Sequence, residues 1–316
     1  MKNILYKFFT MLLTLFLVSI IIFAIFNILP GNPAQAILGI DADAAQISAL
    51  EKELGLDKSL IERYFNWLLR AFSGDFGISY KFREPVIEII KYRFPVTLSL
   101  AIISFIFTFI FSIIIGIFIA RYEGDFISTF ISFITQLGIS TPSFWLGFIL
   151  IYIFSFKLKI FPTFGYTPIK EDFMKGIQSL ILPSLAIAIP NIAVIIRYLS
   201  NSVSEELNKD YVTTAIIKGA SKNKIMYEHI LRNASLTVIT IFGLMVADTL
   251  GGSIIIENVF ALPGLGSLLN ASVESRDFPL IQSLTLFLSV IIIASNFIVD
   301  VMYQILDPRI KLGGKK

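Results

Sequence analysis

Three acidic residues sit in or beside long apolar stretches of this chain. Asp248 interrupts the run 233–256, Glu257 follows its end, and Asp300 closes the run that starts at Phe278. A carboxylate facing hydrocarbon costs several kcal/mol, so each must meet a partner, water or a bundle interior. Two aspartates could also make the paired carboxylates of an acid protease. Asp300 falls too near the end of its run to meet Asp248 in the middle of the other. Other chemistries fail on inventory. There is no cysteine, hence no disulfide, thiolate metal site or cysteine nucleophile. His229 is the single histidine. No H-E-x-x-H, G-x-S-x-G or G-x-x-x-x-G-K-[ST] pattern occurs, which argues against zinc and serine hydrolases and against a P-loop ATPase. The expectation is a protein that is not an enzyme, with no cofactor and no metal site. Asp248 keeps two readings: a contact along a path through the bundle, or a helix–helix hydrogen bond to Ser, Thr or a carbonyl. Glu257 belongs to the same pathway set. Asp300 could snorkel or pair with a basic residue at the inner surface.

A second constellation is the charged insert DYVTTAIIKGASKNKIMYEHILRN, from Asp210 to Asn233. Val212, Ala215, Ile216 and Gly219 share one face at helical spacing, while Asp210, Thr213, Lys218 and Lys222 lie elsewhere. Gly219 can adopt backbone angles closed to other residues. The shape expected is a short helix, a sharp turn and a second helix. Such a face suits insertion into a groove on a soluble partner; a solvated helix resting on lipid headgroups has the same composition.

These residues must be positioned by membrane-spanning helices. Of the 316 residues, 55% are hydrophobic and 16% charged, against about 25% charged in soluble domains. Charge-free windows cover 8–29, 94–120, 126–156, 176–196 and 278–299, and 233–256 is broken only by Asp248. Each can cross a hydrocarbon core of about 30 Å as a helix, the form that satisfies its own backbone there. An all-α protein with six transmembrane helices is expected. With the N-terminus inside, thirteen basic residues fall on the inner side and five in the short outer loops, favouring N-in and C-in. The net charge of +3 then reflects this bias and not nucleic-acid binding. The first apolar run is too long for a signal-peptide core and is read as an uncleaved helix.

Three regions follow: 1–93, a first helix plus an extracytoplasmic segment; 94–306, five helices with the insert; and 307–316, a cytoplasmic tail. The polar block after Pro30 carries eight basic and nine acidic residues. It is expected outside, over the mouth of the bundle, as a cap or as a surface that receives cargo or docks a binding protein. Residues 41–69 read as short amphipathic helices and 74–77 as a turn. In the third window, Ser140, Pro142 and Trp145 lie in GISTPSFW. Proline frees carbonyls and kinks a spanning helix. The kink could line a pathway or serve packing, and Pro183 and Pro190 invite the same two readings.

The pattern Tyr211-Val212-x-Thr214-Ala215-x-x-Lys218-Gly219 resembles the EAA coupling loop of binding-protein-dependent ABC importer permeases. Further segments resemble the dipeptide/oligopeptide/nickel branch, in the expected order. These are LGLDKSLIERYFNWL with GDFGISY, STPSFWLGFIL with FPTFGY, ENVFALPGLG with RDFPLIQ, and DPRI. The chain departs from the loop's pattern at Thr213, which stands for the acidic residue, at Ile216 and Ile217, which replace an Arg-Ala pair, and at Arg232, which stands for a proline. The resemblance implies a type I importer permease fold in the cell membrane. It implies a second, homologous permease, two cytoplasmic ATPases and an extracytoplasmic binding protein as partners, besides membrane lipid. It also assigns ATPase coupling to Tyr211, Val212, Thr214, Ala215, Lys218, Gly219 and Ser221. Di- and oligopeptides are the favoured cargo, since no His, Cys or Met cluster suggests a bare-metal site. Import of nickel or a metal chelate by the same machinery is the alternative. A secondary transporter or channel independent of ATP is the alternative class, for which Asp248 alone is a poor ion relay.

Overall fold

A computed structural model describes residues 2–28, 34, 38, 43–53, 55–122, 125–221 and 224–306. The Leu29–Pro33 stop, Lys222 and the DPRI segment lie outside them, as does the side chain of Asp248. Among the described residues all regular structure is helical apart from one isolated bridge between Ile78 and Pro85. The helices are α1 (Lys2–Ile28), α2 (Ala44–Glu53), α3 (Leu60–Phe72), α4 (Val86–Arg121), α5 (Phe126–Ser140) and α6 (Ser143–Leu150). They continue with α7 (Phe173–Leu207), α8 (Asp210–Ile217), α9 (Leu231–Val259), α10 (Leu265–Glu274) and α11 (Phe278–Leu306). A π-helical stretch, Ile151–Lys157, extends α6, and a second, Ile225–Ile230, leads into α9.

Helices α1, α4, α7 and α11 are each long and apolar enough to cross a membrane. The window 126–156, expected as one kinked helix, is instead broken. Helix α5 ends at Ser140, and α6 with its π-helical extension leaves at 110°. Proline disfavours the helical region for the residue before it, and Thr141 is extended, with φ −98° and ψ 123°. Pro142 then caps the start of α6. Pro183 and Pro190, by contrast, sit within an unbroken α7.

The chain forms two compact units. The described residues of 1–96 with 263–297 make one; those of 97–262 with 298–316 make the other. In the first, Val86 and Ile90 of α4 pack with Leu265 and Leu268 of α10 and Leu280 and Leu284 of α11. The segment before α4 is held by Asp277, which caps α11. Its carboxylate accepts hydrogen bonds from Ser79 Oγ (2.5 Å), Lys81 N (3.1 Å) and Leu280 N (3.3 Å). Burial, and then the nearby Asp277 charge, push the Tyr80 phenol up to about 12.

In the second unit α7 is central and carries many small buried residues, among them Ser184, Ala186, Ala188 and Ala193. Small residues let helices approach closely in lipid, where packing drives association. Gly116 of α4 shows how closely: a Cβ there would lie 2.5 Å from Leu199 Cδ2 of α7.

Candidate functional site

The insert after α7 has a built geometry. Helix α8 ends in a tight cap: Gly219 N donates to Ile216 O (2.9 Å) and Ala220 N to Ala215 O (3.1 Å). This pair of bonds closes a helix when the residue past its end is left-handed, and Gly219 has φ +80°. A residue with a Cβ is disfavoured there. The described backbone resumes at Lys224 and enters α9 through the π-helical turn.

The apolar face of α8 divides between two surroundings. Val212 is buried with Leu199 and Val203 of α7, Ile225 and Ile230 of the turn, and Ala234 of α9. Tyr211 and Ala215 pack beside it. Thr213, Thr214, Lys218, Gly219 and Ser221 are exposed, and Ile216 and Ile217 are 60% and 80% exposed. The residues assigned to coupling therefore separate into an anchor (Tyr211, Val212, Ala215) and a tip (Thr214, Lys218, Gly219, Ser221).

A polar network reinforces the anchor. Glu206, buried at the end of α7, accepts hydrogen bonds from Tyr211 Oη (2.6 Å) and Asn233 Nδ2 (3.2 Å) and is paired with Lys209. Asn233 Nδ2 also lies 3.4 Å from Tyr211 Oη. One carboxylate thus ties α7, α8 and α9 together. Burial, and then the bond to Glu206, hold the Tyr211 phenol above its ordinary value. The His229 ring stands 6.4 Å from that of Tyr211. Glu206 was not among the residues singled out from sequence: it resembles any charge ending a span, and one of its partners lies 27 residues away.

The proposed pathway residues are placed differently from one another. Ser140, Pro142 and Trp145 line the α5–α6 break and are exposed. Ser140 Oγ donates to its own helix, at Gln136 O. Glu257 is fully buried and accepts a 2.6 Å hydrogen bond from Thr97 Oγ1 of α4. Nearby, α6 packs on the end of α9, where a Cβ on Gly147 would meet Phe260 at 3.1 Å. Asp300 is half-buried. Among the described residues no three His, Asp or Glu side chains converge as metal ligands.

A bent helix pair, long apolar helices and an anchored charged insert define a multi-pass membrane protein. Residues 112–312 match the family described as binding-protein-dependent transport system inner membrane component, and residues 1–101 match its N-terminal component. The chain belongs to this family and is a permease of an ABC transporter in the cell membrane. It is 36% identical over 295 residues to a Brucella abortus (strain 2308) protein named as a peptide transport system permease, covering 93% of this chain and 94% of the relative. It is 39% identical over 298 residues to the glutathione transport system permease protein GsiC of Escherichia coli (strain K12), covering 94% and 95%. A Sinorhizobium fredii protein named as a peptide ABC transporter permease is 32% identical over 295 residues, covering 93% and 94%.

Proposed function

We propose that this chain forms half of the translocation pathway of an ATP-driven importer for di- and oligopeptides. A second, homologous permease completes the pathway, two cytoplasmic ATPases power it, and an extracytoplasmic binding protein delivers cargo. The observation that carries the reading is the α8 unit, whose base is buried and bonded to two long helices while its tip presents Ile216, Ile217 and Lys218. An apolar tip beside a cation fits a groove on a soluble ATPase. In this mechanism ATP-driven closure of the ATPases pushes on the tip, and the helices rock between outward- and inward-open states. If α9 crosses as well, its 29 residues measuring about 43 Å at 1.5 Å per residue, the chain has six spans with both termini on one side, which the excess of basic residues assigns to the inside. Peptide cargo is favoured because the relatives are named for peptides and for glutathione, itself a small peptide.

Tagged purification from native membranes in mild detergent tests the reading, with the native chain and with Gly219→Trp. Recovery of an ATPase and a second permease with the native chain, weakened by the substitution, is expected. A native chain that purifies alone, in a detergent that preserves other membrane complexes, refutes it.

A further inference from the structure

Helix α3 is apolar over about 200° of its circumference at 100° per residue, and the protein itself uses only part of that arc. Tyr64 is buried against α1, its ring 6.4 Å from Phe16 and 5.3 Å from Phe23, and Trp67 stands 5.8 Å from Phe23. Tyr64 Oη lies 2.8 Å from Ser19 Oγ. Ser19 Oγ donates to Phe16 O, so Tyr64 is the donor to Ser19. The rest of the arc, Ile61, Phe65, Leu69 and Phe72, is 72%, 51%, 67% and 82% exposed. The opposite side carries Glu62, Arg63, Asn66 and Arg70.

The depth of the contact says what covers the exposed arc. Ser19 precedes the end of α1 at Ile28 by nine residues, or about 13 Å of helix. In a helix crossing a core of about 30 Å, that places Ser19 near mid-depth. A helix whose tyrosine reaches Ser19 does not stand clear of the bilayer. Helix α1 itself leaves Leu13, Leu17 and Ile21 exposed, as a span in lipid does.

We infer that α3 is an interfacial helix lying in the outer leaflet. Ile61, Phe65, Leu69 and Phe72 sit among acyl chains, and Glu62, Asn66 and Arg70 face headgroups and water. A helix with a wide apolar arc and a charged opposite side suits that boundary, and long basic side chains extend their charge toward water. Part of the polar block after Pro30 thus belongs to the membrane surface. The assignment to the outer leaflet rests on the N-in orientation proposed above; the lipid contact does not.

The chain has no cysteine, so single nitroxides can be attached to the otherwise unaltered full-length protein at Phe65→Cys, Phe72→Cys, Asn66→Cys and Arg70→Cys. The protein is reconstituted in phosphatidylcholine–phosphatidylglycerol vesicles, and collision with oxygen and with a water-soluble nickel chelate is measured by spin resonance. High oxygen and low nickel accessibility is expected at positions 65 and 72, with the reverse at 66 and 70. Nickel access at all four positions places α3 in water and overturns the inference. Low access to both probes at 65 and 72 means that protein covers the face, and overturns it equally. An impermeant maleimide applied outside intact cells tests sidedness separately. If Asn66→Cys is labelled only after the cells are opened, the orientation fails while the lipid contact stands.

Discussion

Glu206→Ala should release α8 from the bundle without unfolding it. The native carboxylate holds Tyr211 Oη at 2.6 Å and Asn233 Nδ2 at 3.2 Å. Hydrogen bonds to a charged acceptor contribute about 1.5 kcal/mol each at the lower end of their range, so the two together contribute about 3 kcal/mol. Lys209 is more than half exposed, and its pairing adds at most about 0.5 kcal/mol. Losing about 3 kcal/mol raises the population of detached α8 by roughly two orders of magnitude. Hydrogen exchange on the purified protein reads this directly, as about 100-fold faster exchange of α8 amides with α4 and α7 unchanged. Glu206→Gln keeps an acceptor but not the charge, and about tenfold faster exchange is expected. In the assembled transporter, Glu206→Ala should hydrolyse ATP with less uptake per turnover. Unchanged α8 exchange in Glu206→Ala would refute the reasoning, because Val212 packing alone would then hold the helix.

Other positions yield further expectations. Nothing lies within 4 Å of a Cβ built on Gly219, so Gly219→Ala costs only the left-handed backbone, about 1 kcal/mol, seen as modest fraying of the end of α8 in hydrogen exchange. Gly219→Pro also removes the bond to Ile216 O and should insert normally but fail to couple hydrolysis to uptake; normal uptake at normal membrane levels refutes this. Asp277→Ala removes the acceptor of Ser79, Lys81 and Leu280, a loss of about 3 kcal/mol that should expose residues 74–85 to protease added from outside. Thr97→Val strips a donor from buried Glu257 and should destabilise by about 1–2 kcal/mol; thermal unfolding measures it, and Thr97→Ser should restore most of the loss.

Much of the architecture was legible because its signals are local. Charge-free windows mark the long helices, since lipid penalises unpaired backbone wherever it lies. Gly219 marks the end of α8, since the left-handed turn needs a residue without a Cβ. The break at Pro142 was legible as to place but not degree. The restriction on Thr141 is a local fact, whereas a 110° bend also depends on what each half packs against. Asp277 stands before Phe278-Pro279, an N-cap signal, yet its hold on Ser79 joins residues 198 apart.

The sequence by itself determined that this is a membrane protein, where its long apolar helices run and where the charged insert lies between them. All follow from composition and from spacing within one element. Only the tertiary structure decided which side of each amphipathic element is used. Val212 and Ile216 lie on one apolar face of α8, but Val212 is spent on the bundle and Ile216 is left exposed. Tyr64 and Phe65 are neighbours in α3, but only Tyr64 is buried against α1. Periodicity marks a face as apolar; what covers that face depends on chain segments brought together by folding.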